Sequence, residues 1–380
     1  MAFVSIILAL ILCELLARLL TSSSQLQDNK VSVFDEALGQ RGNPDYREHD
    51  ENGFRNSIAL QLADIVTLGD SQTYGSGVNS SQTWAQQLAD FSNLSVYNMS
   101  FPGYGPIHYL LLFDQALSLQ PKVIIATFFS GNDLYDAYSH VYRQNQLPEL
   151  AVKDKEFLAS INNQEATEPL FKKIVNESDI TYWKFKKILE APSKYFKAYA
   201  IFTKGLKNAL YRTQLSWFLI KNESKLTSEK QYIFESRVNR AILTPSYRSL
   251  TVDLEDARLS EGLRLSQESF NQLNQKSKEA GIKFSVLLIP TKELAYKNLV
   301  QSTKNDIPAK YLDQTQKEER VFAALKTYLT ENDVSFIDTL PALSEAVESG
   351  KKPYLEGVDG HLSEFGHEKI AQLVNPYGKI

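Results

Sequence analysis

The chain has 380 residues, a length that allows two or three domains or one α/β domain carrying a large insertion. Hydrophobic residues at 43% and charged residues at 23% exclude wholesale disorder, and a net charge of −4 gives no electrostatic reason to expect a nucleic acid as partner. Cys13 is the single cysteine, which excludes an intramolecular disulfide framework and a cysteine-based zinc site.

From the start, Ala2 to Leu20 is almost continuously apolar, interrupted only by Glu14 and Arg18. Their i, i+4 spacing lets them pair on one helix face. About eighteen helical residues reach about 27 Å, close to the hydrocarbon thickness of a bilayer. Residues 1–20 are therefore expected to be a signal anchor or a signal peptide, with a buried helix as the remaining alternative. Glu14 and the lack of a small-residue cleavage site weigh against cleavage. Leu12 ahead of Cys13 weighs against a lipoprotein. Residues 21–50 are polar and read as a linker.

The α/β pattern then begins. Asp64 to Leu68 is a short apolar, β-branched run that ends in Gly69-Asp70-Ser71 and reads as a buried strand. Thr83 to Phe91 has helical spacing, and Leu94 to Met99 is a second strand. Pro102 to Pro106 is loop chemistry. Ile107 to Leu119 is a helix, and Lys122 to Phe129 is a third strand, apolar enough to be central. Much later come a helix over Leu263–Ala280 and a fourth strand over Lys283–Ile289. A helix over Gln316–Leu329, a fifth strand over Val334–Asp338 and a closing helix over Ser363–Val374 follow. Strand–helix alternation of this kind implies a parallel sheet with helices on both faces.

The interval after the third strand is too long for a bare loop. Residues 137–255 are therefore expected to form a mainly helical insertion, a cap, interrupting a domain made of 51–136 and 256–380. Residues 171–225 hold twelve Lys or Arg against four acidic residues, and aromatics such as Trp183, Phe196 and Trp217 recur at helical spacing. The basic face is either simply solvated or touches an anionic membrane surface or polymer. The cap is expected over or beside the carboxyl ends of the strands.

The chemistry concentrates at those ends, where open parallel sheets form their sites. Ser71 stands just past the first strand, positioned to act as a nucleophile. A serine needs a base, and there are five histidines. His49 lies in the charged linker. His108 and His140 have no evident carboxylate beside them, and His367 reads as a packing or surface residue on the last helix. His361 has Asp359 two residues ahead, where an orienting carboxylate is required. Gly103 and Asn132 follow the second and third strands, and a backbone N–H and a side-chain amide there can stabilise an oxyanion. Asp70, Lys292 and Glu293 also lie at strand ends and are expected to border the site. The histidine spacing offers no metal ligand set, so neither a metal nor another cofactor is expected.

These four blocks, Gly69-Asp70-Ser71-Gln72-Thr73, Gly103, Gly131-Asn132-Asp133 and Asp359-Gly360-His361, in this order and after these strands, resemble the SGNH/GDSL hydrolase family. The resemblance covers roughly 51–135 and 250–375. It implies a flavodoxin-like three-layer sandwich with a five-stranded parallel sheet in the order 2-1-3-4-5, plus the long helical insertion after the third strand. It also implies Ser71 as nucleophile, His361 as general base, Asp359 as its orienter, and an oxyanion hole of Ser71, Gly103 and Asn132.

The expected activity is an esterase working through an acyl-serine, on a small-molecule or carbohydrate ester such as an O-acyl group in the cell envelope. The Asp-x-His spacing is also similar to that of SGNH-type domains that O-acetylate exopolysaccharides, so transfer to a sugar hydroxyl stands as the alternative. A non-catalytic envelope binding or assembly protein is the third. Gly53-Phe54-Arg55 and Pro290-Thr291-Lys292-Glu293 are similar to features of a bacterial membrane-anchored subset. That implies attachment to the membrane through the N-terminal helix, with the catalytic domain outside the cytoplasm.

Overall fold

The structure, a computed structural model, describes residues 30–177, 230–303 and 306–375. The apolar segment 1–20 and the basic part of the insertion from 178 to 229 lie outside the described residues. Among the described residues, no helix is long and apolar enough to cross a membrane.

In chain order the strands are β1 Ser32–Asp35, β2 Gly39–Gly42, β3 Ile65–Gly69, β4 Val96–Ser100, β5 Val123–Phe129, β6 Tyr232–Glu235, β7 Arg240–Leu243, β8 Lys283–Ile289 and β9 Phe336–Asp338. The helices are α1 Ser71–Tyr74, α2 Trp84–Ser92, α3 Pro106–Ser118, α4 Asp133–Tyr142, α5 Lys155–Thr167, α6 Leu170–Glu177, α7 Pro245–Thr251 and α8 Ala257–Glu279. They continue with α9 Lys292–Ala295, α10 Lys297–Ser302, α11 Ala309–Glu331, α12 Leu340–Glu348 and α13 Glu364–Val374.

The central sheet is β4-β3-β5-β8-β9, and all four pairings are parallel. This is the expected order 2-1-3-4-5, counting only the strands of that sheet. Alternate side chains of each strand point to opposite faces. On β5, Ile124, Ala126 and Phe128 enter one buried cluster with Leu112 and Phe113 of α3, Phe270 of α8 and Phe322 of α11. Val123, Ile125 and Phe129 enter the other, with Trp84 and Leu88 of α2, Leu343 of α12 and Ile370 of α13. A strand that is apolar on both faces must be covered on both, and the three layers follow from that.

Polar side chains tie the carboxyl ends together. Glu318 of α11 accepts from the Ser130 hydroxyl at 2.6 Å, the Thr291 N–H at 2.8 Å and the Gln314 amide at 2.7 Å. It thereby joins the ends of β5 and β8. Its carboxyl pKa is raised by burial, with these hydrogen bonds acting the other way.

Two parts differ from the sequence reading. The polar linker expected over 21–50 is, from residue 30, folded structure: β1 and β2 form an antiparallel hairpin, and His49 and Asp50 are buried. The Asp50 carboxylate accepts from the Phe54 N–H at 3.1 Å and from the Tyr97 hydroxyl at 2.7 Å. The polar side chains of this stretch are spent on internal hydrogen bonds, a use that composition does not distinguish from solvation.

In the insertion, the described ends contain α5, α6 and α7 but also the antiparallel hairpin β6–β7. Its buried Phe234, Ala241 and Leu243 pack in the second cluster. Arg258, fully buried at the start of α8, anchors the insertion. It donates to Glu165 at 2.7 Å, to the Glu168 carbonyl at 2.8 Å and to Asp256 at 2.7 Å.

Candidate active site

Ser71 is the first residue of α1, the single turn that follows β3. Asp70 is its N-cap, and its side chain accepts from the Gln72 N–H at 2.8 Å. The turn ends at Gly75, whose φ of 81° is a left-handed conformation suited to glycine. Gly69 is required one residue earlier. A Cβ there would stand 2.3 Å from the Thr73 hydroxyl and 2.7 Å from that of Thr127. The chain can turn this tightly beside β5 only without a side chain.

His361 faces this serine. Its Nε2 lies 2.9 Å from Ser71 Oγ, and its Nδ1 lies 2.6 Å from Asp359 Oδ1. The same carboxylate accepts the His361 backbone N–H at 3.0 Å. Burial opposes ionisation of Asp359, but the hydrogen bonds from His361 and the nearby charges of His361 and Lys292 outweigh it and hold its pKa below the usual carboxylate range. An ionised Asp359 accepts a hydrogen bond from Nδ1–H, which keeps the proton on that nitrogen and leaves the Nε2 lone pair facing the hydroxyl. With side-chain exposures of 30% for His361 and 41% for Asp359, the pair is open to an incoming molecule.

Gly103 and Asn132 stand at the same edge of the sheet, in the turns that follow β4 and β5. Gly103 has φ of +87°, and the Gln40 amide of β2 lies 3.2 Å from where its Cβ would be. The N-terminal hairpin thus lies against this turn. Asn132 is the N-cap of α4; its Nδ2 is 2.6 Å from Asp136 Oδ2, and its Oδ1 is buried with no partner.

The residues expected to border the site stand behind it instead. Asp70 is fully buried; burial pushes its pKa up to about 6 against the Gln72 N–H bond and the charge of His361. Lys292 is buried and forms no loop ion pair with Glu293. Its Nζ donates to the carbonyls of Gly357 at 2.6 Å and Asp359 at 2.9 Å, and more weakly to Leu355 at 3.4 Å. Burial lowers its pKa to about 8, although Glu293 and Asp359 favour the charged form. Lys292 therefore props the loop that carries Asp359 and His361. Glu293 accepts from the Thr244 N–H at 2.7 Å, holding the start of α7.

Several neighbours escaped sequence reasoning. The Gln72 amide grips the backbone on both sides of His361, donating to the Gly360 carbonyl at 3.3 Å and accepting from the Leu362 N–H at 3.1 Å. Arg248 of α7, inside the insertion, donates to the Gly131 carbonyl at 3.0 Å. Its guanidinium would lie 2.6 Å from a Cβ at Gly360, so both glycines make room for it. Arg55, whose Gly-Phe-Arg motif had no firm role, caps α1: it donates to the carbonyls of Tyr74 at 3.0 Å, Gly75 at 2.7 Å and Val78 at 2.8 Å.

The other histidines pack. His49 Nε2 is 2.8 Å from the Tyr74 hydroxyl, and His108 Nε2 is 3.1 Å from the Leu38 carbonyl. His140 meets His108 edge-on at 4.0 Å between ring centroids. His367 is buried and accepts the Trp84 N–H at 3.1 Å.

No protein-family model matches the chain, and no curated protein matches its sequence. Among solved structures, it is similar to a lipolytic protein of the G-D-S-L family from Desulfitobacterium hafniense, at 12% identity and a TM-score of 0.38, over 82% of this chain and 97% of that one. It is also similar to a catalytic mutant of an acetylxylan esterase from Geobacillus stearothermophilus, at 10% identity and a TM-score of 0.40, over 85% and 96%. A GDSL-like lipase from Bacteroides thetaiotaomicron gives 9% identity and a TM-score of 0.36, over 83% and 87%. Likenesses this distant carry nothing about chemistry, which rests on the geometry of this chain.

Proposed function

We propose that this protein is a serine ester hydrolase. The observation that carries the reading is the continuous relay from Ser71 Oγ through His361 to Asp359, with contacts of 2.9 Å and 2.6 Å. His361 Nε2 takes the Ser71 proton as Oγ bonds to the ester carbonyl carbon, and the carbonyl electron pair moves to oxygen. That oxyanion is met by the N–H groups of Ser71 and Gly103 and by the Asn132 amide. Collapse expels the alcohol, which receives the proton from His361. A water, deprotonated by the same Nε2, then attacks the acyl-serine and releases the acid. The substrate class is an O-acyl ester on an envelope carbohydrate or lipid.

The second reading is transfer of the acyl group to a sugar hydroxyl, favoured by the Asp-x-His spacing. It shares every step up to the acyl-serine. Residues 2–20, by their length and apolarity, anchor the protein in a membrane with this domain in the cell envelope.

Labelling with a serine-directed fluorophosphonate tests the common step. The full-length protein takes up one label per chain, and Ser71→Ala takes up none while keeping the wild-type circular dichroism spectrum. Equal labelling of the two proteins removes Ser71 as nucleophile.

A further inference from the structure

The turn that carries Asn132 and the loop that carries Asp359 and His361 are far apart in sequence, and one buried side chain stands between them. Arg248, on α7 inside the insertion, donates from Nη1 to the Gly131 carbonyl at 3.0 Å. That carbonyl belongs to the peptide that joins Gly131 to Asn132. On the other side, Nη2 stands 2.6 Å from where a Cβ of Gly360 would be. The next two atoms there, at 3.7 and 4.0 Å, are Cζ and Nε of the same side chain. Nη1 likewise stands 2.6 Å from a Cβ on Gly131, where the Phe129 ring lies at 2.5 Å.

Neither glycine has a positive φ. The backbone therefore accepts alanine at both places, and what calls for glycine is room. At Gly360, between the base and the carboxylate that orients it, the guanidinium takes that room. The guanidinium is also held in place. It lies over the Tyr247 ring at 4.7 Å and the Phe129 ring at 5.4 Å from their centroids. Glu293 Oε2 answers its charge from 3.9 Å. Oε1 of the same carboxylate accepts from the Thr244 N–H at 2.7 Å and the Thr244 hydroxyl at 3.1 Å, at the N-cap of α7. The helix and the arginine it presents are thus fixed together.

We propose that Arg248 is a positioning residue: it sets the Gly131–Asn132 peptide against the Asp359-Gly360-His361 loop, and so fixes the Asn132 side of the oxyanion hole relative to the general base. It acts through Gly131 and Gly360 and contacts no reacting atom. The insertion then completes the site as well as standing beside it. The inference rests on the ester-hydrolase reading and adds a residue to it.

The test is a double-mutant cycle on the full-length protein, read in p-nitrophenyl acetate hydrolysis, with Arg248→Ala, Gly360→Ala, the two together, and Ser71→Ala alongside. Arg248→Ala is expected to lower kcat roughly 10- to 100-fold, the effect of an ångström of misplacement, while KM changes little. Gly360→Ala drives a Cβ into the guanidinium, pushes it off the Gly131 carbonyl and lowers kcat by a similar factor. The two together are no slower than Arg248→Ala alone, because nothing is left to clash. Free guanidinium, below the concentration that unfolds the protein, restores part of the kcat of Arg248→Ala. It does not restore the double variant, where the new Cβ fills its place.

An unchanged kcat in Arg248→Ala overturns the inference. So do losses that multiply in the double variant, which would give Gly360 a purpose apart from the guanidinium. Should Arg248→Ala not fold, Gly360→Ala decides alone. A fall in kcat with KM and the circular dichroism spectrum kept supports the inference, and an unchanged kcat overturns it. Hydrolysis that survives in Ser71→Ala overturns the hydrolase reading instead. If the wild type leaves p-nitrophenyl acetate intact, the rate of fluorophosphonate labelling is read in the same cycle, and a wild type that takes up no label overturns the hydrolase reading and this inference with it.

Discussion

At the scale of single residues, the site is a histidine held from every side. Asp359 fixes the ring, Lys292 fixes the preceding carbonyls, and Gln72 fixes the peptides on either side of His361. Gln72 touches neither reacting atom, so its contribution is positional. Gln72→Leu removes both amide contacts at little change in volume. It is expected to lower kcat roughly 10- to 100-fold, the size of effect that an ångström of misplacement brings, while KM changes little. Steady-state kinetics on a small activated ester checks this, and an unchanged kcat would leave Gln72 a packing residue. The relay itself was legible in the sequence because the chemistry restricts it: a serine past a strand needs a histidine, and Asp359 two residues ahead of His361 supplies an orienting carboxylate. Gln72 and Asp136 were not legible, because a polar residue on the first turns of a helix is ordinarily solvated. Only the assembled fold shows that Gln72 faces Gly360 and Asp136 faces Asn132.

At the scale of elements, the strands were legible from their β-branched apolar runs. β8 falls on the expected residues, and β3, β4 and β5 lie within two residues of them at each end. The hairpin β1–β2 was hidden because Gly39-Gln40-Arg41-Gly42 carries no apolar period; its pairing depends on what it packs against. Arg55 shows how this overlooked region serves the site. Its side chain is 6% exposed, pairs with Glu48, and donates to three carbonyls at and after the end of α1. A four-residue helix has too few internal hydrogen bonds to hold itself, and its last carbonyls need outside partners. Arg55→Met removes those donors and leaves Glu48 only its longer contact with Arg47, at 3.4 Å. The expected loss is about 3–5 kcal/mol of unfolding free energy, the range for breaking a largely buried ion pair. A urea unfolding series measures it, and kcat should fall with it because α1 carries Ser71. A midpoint unchanged from wild type would mean that α1 is held by Asp70 and Gly75 alone.

At the scale of the whole molecule, two sets of buried ionisable groups pull stability in opposite directions with pH. Burial holds His367 down to about 3 and His108 to about 4, and lowers His49 and His140 as well. Between its folded value and the ordinary 6.5, such a histidine is protonated in the unfolded chain but not in the folded one. Stability is therefore lost as pH falls through that interval. The acids behave in reverse. Burial raises Asp70 to about 6 and Asp136 to about 8 from an ordinary 3.8, and it places Asp133 well above that value. In those intervals the folded chain holds a proton that the unfolded chain has released, so stability is lost as pH rises. Each group contributes at most about 1.4 kcal/mol per pH unit within its interval. Asp136 has the widest interval with a defined upper end, so its replacement is the sharpest test. Asp136→Asn keeps the shape and removes the titration. Relative to wild type, its unfolding free energy should gain up to about 4 kcal/mol between pH 5 and pH 8, three units of that slope. Chemical denaturation of both proteins at the two pH values measures the difference. An offset that is the same at both would mean that Asp136 ionises in the folded protein as it does in water, and the buried acids would then place no alkaline limit on the fold.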